Sequence, residues 1–265
     1  MENQITPVKQ LKSMLGSESI KSRFREILDK NAPGFISSIL SVVNSNDLLQ
    51  KAEPQSVLNS AVIAATLNLP INPNLGYAAI VPFNDRKKGI CLAQFQLMYK
   101  GLVELCLRSG QFASLIDEVV YEGQLVKKNK FTGEYIFDED AKKSDKVIGY
   151  MAYFRLVNGF EKTHYMTIEE VEKHAKAYSQ TYKNGYGVWK ESFDCMARKT
   201  VLKLLLSKYA PKSIQMQQAL TFDQAVVKND LVSSETIEEA DVTYVDNEKT
   251  SIADKLSEIA EKNME

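Results

Sequence analysis

The sequence predicts an α+β fold in which N-terminal helices precede a central antiparallel β-meander with helices packed against it. Over the first 70 or so positions, apolar residues recur at helical spacing. Between 77 and 168 they give way to short β-branched and aromatic runs separated by turn signals. Helical spacing then returns from 167 to 208.

SESIKSRFREILDK offers Ser as a cap and spaces Ile20, Phe24, Ile27 and Leu28 for one helix face. APGFISSILSVVNS repeats the pattern with Phe35, Ile39, Val42 and Val43. EPQSVLNSAVIAATLNL puts Pro54 near a helix start and Val57, Leu58, Ala61, Ala64 and Ala65 on one side. PINPNLG ends that helix. Tyr77–Phe83 and Gly89–Leu97 read as two strands joined by NDRKKG, a tip carrying Arg86, Lys87 and Lys88. ICLAQFQLMYKGLVELCLRSG, residues 90–110, runs from strand directly into helix. Segments 115–123, 133–139, 146–159 and 160–168 follow as the meander, with VNGF as its clearest turn. A helix over 167–177, a Tyr/Gly/Lys loop over 179–190 and a helix over 190–208, stopped by Pro211, complete the core.

The chain has 265 residues, 44% of them hydrophobic, enough for a sizeable core. It has no run of about 18 apolar residues, and MENQITPVKQ lacks the layout of a signal peptide. A cytoplasmic protein without a membrane span is expected. Cys91, Cys106 and Cys195 sit in periodic apolar contexts and read as buried small hydrophobes. The net charge of −1 conceals an asymmetry. Residues 1–222 hold 29 basic and 22 acidic side chains, whereas 223–265 hold 4 lysines and 12 acids. The division predicts a basic domain over 1–222, suited to nucleic acid, and an acidic, largely flexible tail over 223–265. Ile252, Leu256 and Ile259 keep helical spacing in that tail, a short amphipathic helix able to dock on a partner.

Enzymatic signatures are missing. No GxxxxGK[ST], GxGxxG or GxSxG occurs, and His164 and His174 fall in different elements with no metal-spaced companion. The acids of YIFDEDAKK read as solvated loop charges. No catalytic residue, metal ligand or required cofactor is assigned; use of Mg2+ is compatible with the sequence, but no site for it is indicated.

Two basic helices carry the functional signal. In the first, Lys100, Glu104 and Arg108 form an i, i+4, i+8 row that an intrahelical ion-pair ladder explains in part. Lys100 and Gly101 in the first turn are not explained that way. A cation there opposes the helix dipole, and Gly costs about 1 kcal/mol relative to Ala. A phosphate bound at the helix start would account for both. In the second, Phe193, Ala197, Val201, Leu204 and Leu205 form the core stripe, with Arg198 beside it and Lys199 and Lys203 roughly opposite. Residues 183–212 hold seven Lys/Arg and two acids. Trp189 reads either as a base-stacking platform or as a core anchor for the loop.

Three segments, SVLNSAVIAATLNLPINPNLGYAAIVPF, QFQLMYKGLVELCLRSG and WKESFDCMARKTVLKLLLSKYAP, together resemble the RecT family of phage recombinases over about residues 30–215. The resemblance implies an ATP-independent single-strand annealing protein related in function to phage lambda Red beta, phage or prophage encoded and acting in homologous recombination in the bacterial cytoplasm. It implies a core like that of the eukaryotic annealing rings, assembly as rings or helical filaments, and DNA in a basic groove. Domain 1–222 would then bind DNA, anneal and oligomerise. The partners implied are single-stranded DNA, the annealed duplex and further copies of the chain. A host single-strand-binding protein, met through 223–265, and a phage exonuclease are further partners by analogy. The residues expected to meet DNA are Asn74, Arg86, Lys87, Lys88, Gln96, Tyr99, Lys100, Gly101, Arg108, Arg155, Trp189, Arg198, Lys199 and Lys203. Tyr99, Lys100 and Gly101 fall in the family's YKG motif, and Arg198 and Lys199 in MARKT. Gln124 and Leu125 depart from the acid and aromatic that the family commonly places after Gly123. The alternative reading is a module that binds and protects single-stranded DNA without pairing it.

Overall fold

Proline opens three of the first four helices, because its fixed φ suits the first turn and no intrahelical bond is lost there. In the computed structural model, which describes residues 6–85, 88–129, 131–185, 187–234, 237 and 240–244, these helices are α1 (Pro7–Gly16), α2 (Glu18–Leu28), α3 (Ala32–Asn44) and α4 (Pro54–Thr66). Every residue of α4 from Ser56 to Ala65 is buried. Its small side chains let neighbours approach from all sides, and its polar ones are paired. Ser56 Oγ accepts from Ala93 N at 2.8 Å, and the Asn59 amide donates to Asn229 O at 2.8 Å while its oxygen accepts from Leu231 N at 3.1 Å.

Strands β1 (Ala78–Asp85) and β2 (Ile90–Leu97) form the expected antiparallel ribbon, in register from Ala78↔Leu97 to Asp85↔Ile90. An exposed β edge invites unwanted pairing. Here the outer edge of β2 is covered by groups that are not strands. Glu53 N donates to Cys91 O at 2.8 Å and Gln224 N to Phe95 O at 2.9 Å, while Leu97 N donates to Asp223 Oδ1 at 2.8 Å.

Helix α5 (Tyr99–Arg108) leads to β3 (Phe112–Tyr121), β4 (Leu125–Asn129), β5 (Glu134–Phe137), β6 (Val147–Leu156) and β7 (Glu161–Thr167). The fold class is α+β, but these strands are not one continuous meander. β3 pairs with β6, giving a sheet of order β3-β6-β7, while β4 and β5 form a separate hairpin. The long strands match their apolar faces, Leu115↔Phe154 and Val119↔Tyr150. The excursion between them returns its aromatics Tyr135 and Phe137 onto Tyr165 of β7, with ring centroids 6.1 and 6.0 Å away.

Helix α6 (Ile168–Tyr178) starts in a capping box, Thr167 N donating to Glu170 at 2.8 Å and Glu170 N to Thr167 Oγ1 at 3.2 Å. The expected Tyr/Gly/Lys loop contains two short helical turns, α7 (Gln180–Lys183) and α8 (Val188–Glu191). Helix α9 (Phe193–Tyr209) then packs against β3, β6 and β7. Among the described residues, no helix is long and apolar enough to cross a membrane.

The expectation of a flexible tail from 223 needs correction at its start. Helix α10 (Ile214–Phe222) runs straight into a buried Asp223. Ala225, Val226, Val227, Leu231 and Ile237 are buried as well, and short strands β8 (Val226–Val227) and β9 (Val242–Thr243) pair with each other. Acidic composition suggested solvation, but the apolar residues between the acids carry the packing. The amphipathic stretch at 252–259 lies outside the described residues, as does 245–265 altogether.

Candidate nucleic-acid interface

Two segments far apart in the chain meet at the junction of β2 and α5. Leu97 ends β2, and Met98 is the N-cap of α5. Lys199 Nζ, from α9, donates to Leu97 O at 2.6 Å across a sequence separation of 102. Asp223 takes Leu97 N on one oxygen and the Lys203 ammonium on the other. Burial pushes the Lys199 ammonium below its ordinary value, and Asp223 works against that shift. Both backbone groups of Leu97 are thus held by charged side chains from α9 and the end of α10.

A second network lies beside it. Tyr99 donates its hydroxyl to Asp117 Oδ1 at 2.5 Å, and Arg198 Nε donates to Asp117 Oδ2 at 2.7 Å. Arg198 Nη2 also reaches the Asp117 carbonyl at 2.7 Å, a two-point grip on β3. Burial, then the hydrogen bond to Asp117, pushes the Tyr99 phenol up to about 12. Tyr165 is also pushed to about 12, mainly by burial. A raised acid contributes stability that is complete below its unfolded pKa of about 10 and is lost as pH climbs toward the folded value. The urea midpoint is therefore expected to fall between pH 9 and 11, and Tyr99→Phe to shrink that fall; equal shrinkage by a distant Tyr→Phe control would sink the assignment to Tyr99.

Lys100 is exposed, and its N–H donates to Gly76 O at 3.1 Å. Its stem lies beside the left-handed Gly76 that caps the 3-10 turn Pro73–Leu75, where an added Cβ would lie 3.5 Å from Lys100 Cδ. Exposed Asn74 is in the same turn. Gly101 has a packing reason to be glycine. It is buried, and a Cβ there would strike the Tyr77 carbonyl oxygen and lie 2.9 Å from its carbon. Two donors at this helix entry already serve the chain, Lys100 N to Gly76 O and Met98 N to Tyr77 O.

The remaining expected residues are placed as follows. Arg108 pairs with Glu104 at 3.3 Å and donates to Leu67 O at 3.0 Å, tying α5 to the end of α4. Trp189 is 6% exposed, between Tyr182 and Phe193 with ring centroids 5.6 Å from each, which is the core-anchor alternative. Gln96 is half-buried opposite Ala79 on the ribbon. Arg155 is exposed opposite Glu161. Lys88 is exposed at the hairpin tip, where its N–H donates to Asp85 Oδ1 at 3.2 Å; Arg86 and Lys87 lie outside the described residues. At about 3.3 Å per residue, the eight-residue strand puts that tip roughly 25 Å from Lys100, so the two do not share one contact.

Asp117 and Asp223 are the site residues that sequence reasoning missed. Asp117 shares the inward face of β3 with Leu115 and Val119, and a charge on an apolar period-2 face was the available signal. Asp223 precedes the apolar run AVV and gave only that hint. Among the described residues, no cluster of His, Cys, Asp or Glu could hold a metal ion.

Fold and site define an α+β protein whose basic motif segments converge on one strand–helix junction. The family model described as the RecT family matches residues 33–243, and the chain belongs to that family. It is 28% identical to protein RecT of Escherichia coli (strain K12) over 222 residues, covering 80% of this chain and 79% of the relative. It is 46% identical to the uncharacterized protein YqaK of Bacillus subtilis (strain 168) over 246 residues, covering 91% of this chain and 83% of that one. The family match runs through the segment packed around Asp223.

Proposed function

We propose that the protein binds single-stranded DNA at the face around the β2–α5 junction and pairs it with a complementary strand without ATP. Membership of the RecT family places it among single-strand annealing recombination proteins. The observation that carries the site is the bond between Leu97 and Lys199, which brings the YKG and MARKT segments together. Lys100 and the Asn74 turn offer the open contacts, whereas Arg198, Lys199 and Lys203 hold the frame through Asp117, Leu97 and Asp223.

Contacts to phosphate tolerate any sequence, and base pairing between the strands then supplies specificity. Pairing is downhill, so no nucleotide is consumed and no catalytic residue is required. Side-by-side copies on one strand call for head-to-tail contacts, which close as rings or continue as filaments. Residues 245–265 are the segment left for a host single-strand-binding protein, and a phage exonuclease is a further partner by analogy.

Lys100→Ala is expected to weaken binding to a thymidine homopolymer and to reduce the slope of log K against log salt by about 0.7, one phosphate on a single strand. Lys199→Ala is expected instead to lower stability, because its ammonium is committed to Leu97. An unchanged slope in folded Lys100→Ala would remove the turn from the binding surface. Incubation with magnesium and either form of DNA is expected to give no cleavage, which separates this reading from a metal-dependent nuclease.

A further inference from the structure

Three lysines that the motif resemblance does not single out are grouped differently from those of the β2–α5 junction. Lys162 of β7 and Lys208 in the last turn of α9 both stand over the ring of Tyr209, with Nζ 5.3 and 5.2 Å from its centroid. Lys128 of β4 stands 5.2 Å over a different ring, Tyr165 of β7, which is 6.1 Å from Tyr135. The Lys162 ammonium also lies against the tip of the β4–β5 hairpin, 2.5 Å from where a Cβ on Gly133 would be.

Among the described residues, none of these three ammonium groups has a carboxylate within salt-bridge distance. The acids nearby are engaged elsewhere: Glu170 in the α6 capping box, Glu161 with the Tyr153 hydroxyl at 2.6 Å, and Glu134 with Lys127 at 2.9 Å. His164, on the same strand as Lys162, is held toward its neutral form by burial, against Glu170 and together with Lys208 and Lys128. Two ammonium groups over one ring repel each other, and the ring's negative face offsets this only in part. A phosphate among them would relieve the repulsion, and Tyr209, 37% exposed, leaves aromatic surface for a base.

Helix α9 relates this cluster to the junction. Arg198 and Tyr209 are eleven residues apart, three turns of helix, so they lie on the same side and about 16 Å apart along the axis. That spacing is comparable with the roughly 12 Å width of the groove that separates two DNA backbones. We propose that Lys162 and Lys208 around Tyr209, with Lys128 of the β4–β5 hairpin beside them, form a second backbone-binding surface, which receives the incoming complementary strand while the first is held at the β2–α5 junction. The inference rests on the annealing reading and adds where the second strand is held.

The test is the double variant Lys162→Ala/Lys208→Ala, with the full chain and two complementary oligonucleotides. The first strand is expected to bind within about twofold of wild type, and duplex formation on the protein to slow about tenfold, the loss of two phosphate contacts. In a Tyr209→Trp variant, indole fluorescence is expected to change when the second strand is added and not with the first. Equal losses in first-strand binding and pairing would make the cluster part of the first site and overturn the proposal, as would unchanged pairing. If the double variant folds poorly, the Tyr209→Trp signal decides by itself, and a response to the first strand counts against the proposal. Failure of the wild-type protein to accelerate pairing would sink the annealing reading instead.

Discussion

Gly101→Ala is expected to destabilise the protein by about 3 kcal/mol, lowering the thermal midpoint by roughly 6–12 °C. Helix propensity predicts the opposite sign, a gain of about 1 kcal/mol, because alanine is the better helix former. The packing effect wins because the obstacle is backbone: the Tyr77 carbonyl lies where the new methyl must go, and that oxygen already accepts from Met98 N at 3.0 Å. Moving α5 outward would pull at the Leu97 junction, which Lys199 and Asp223 hold from the far side. Calorimetry of the free protein measures this directly. A variant more stable than wild type would return Gly101 to the role first considered for it, a place where a ligand approaches the helix start.

Asp223→Ala is expected to cost about 3 kcal/mol. It leaves the Leu97 N–H and the ammonium groups of Lys203 and Lys199 without their anion. Breaking a buried pair costs about 3–5 kcal/mol, and the value here belongs at the low end because Lys203 is 32% exposed while Asp223 is 2% exposed. Asp223→Asn fills the same space and retains an acceptor for Leu97 N, so it should recover part of the loss, and the deficit that remains reports the missing anion beside Lys203. Truncation after 222 should cost more than either, since it also removes the partners of Asn59 and the buried Leu231. Urea titration of the three variants gives the order; a chain ending at 222 as stable as wild type would contradict it.

The α+β class, the β1–β2 ribbon and most helices were legible in the sequence, because periodicity reports which face an element buries. The separate β4–β5 hairpin was not, because strand pairing depends on which faces match across the sheet, and local alternation in 115–159 is the same for a meander and for an excursion. The tail was misread where composition outweighed pattern: twelve acids among 43 residues suggest solvation, yet Val226, Val227 and Leu231 are buried. At the site, the resemblance pointed to segments that the fold brings together, but charge alone could not say which cations were committed inside the fold. Arg198, Lys199 and Lys203 looked like Lys100 in the sequence and differ from it only through Asp117, Leu97 and Asp223. The lysines around Tyr209 and Tyr165 were invisible for the converse reason: they come from a hairpin, a sheet strand and a helix that only the fold brings near one another.

The central claim is that this chain pairs strands as well as coating them. Two complementary oligonucleotides carrying a donor and an acceptor fluorophore, mixed with the protein in the absence of any nucleotide, measure it most directly. The prediction is faster energy transfer than in protein-free solution, with the gain reduced in Lys100→Ala. Saturated binding of each strand with no gain in pairing rate would contradict the claim and leave a protein that only covers single-stranded DNA.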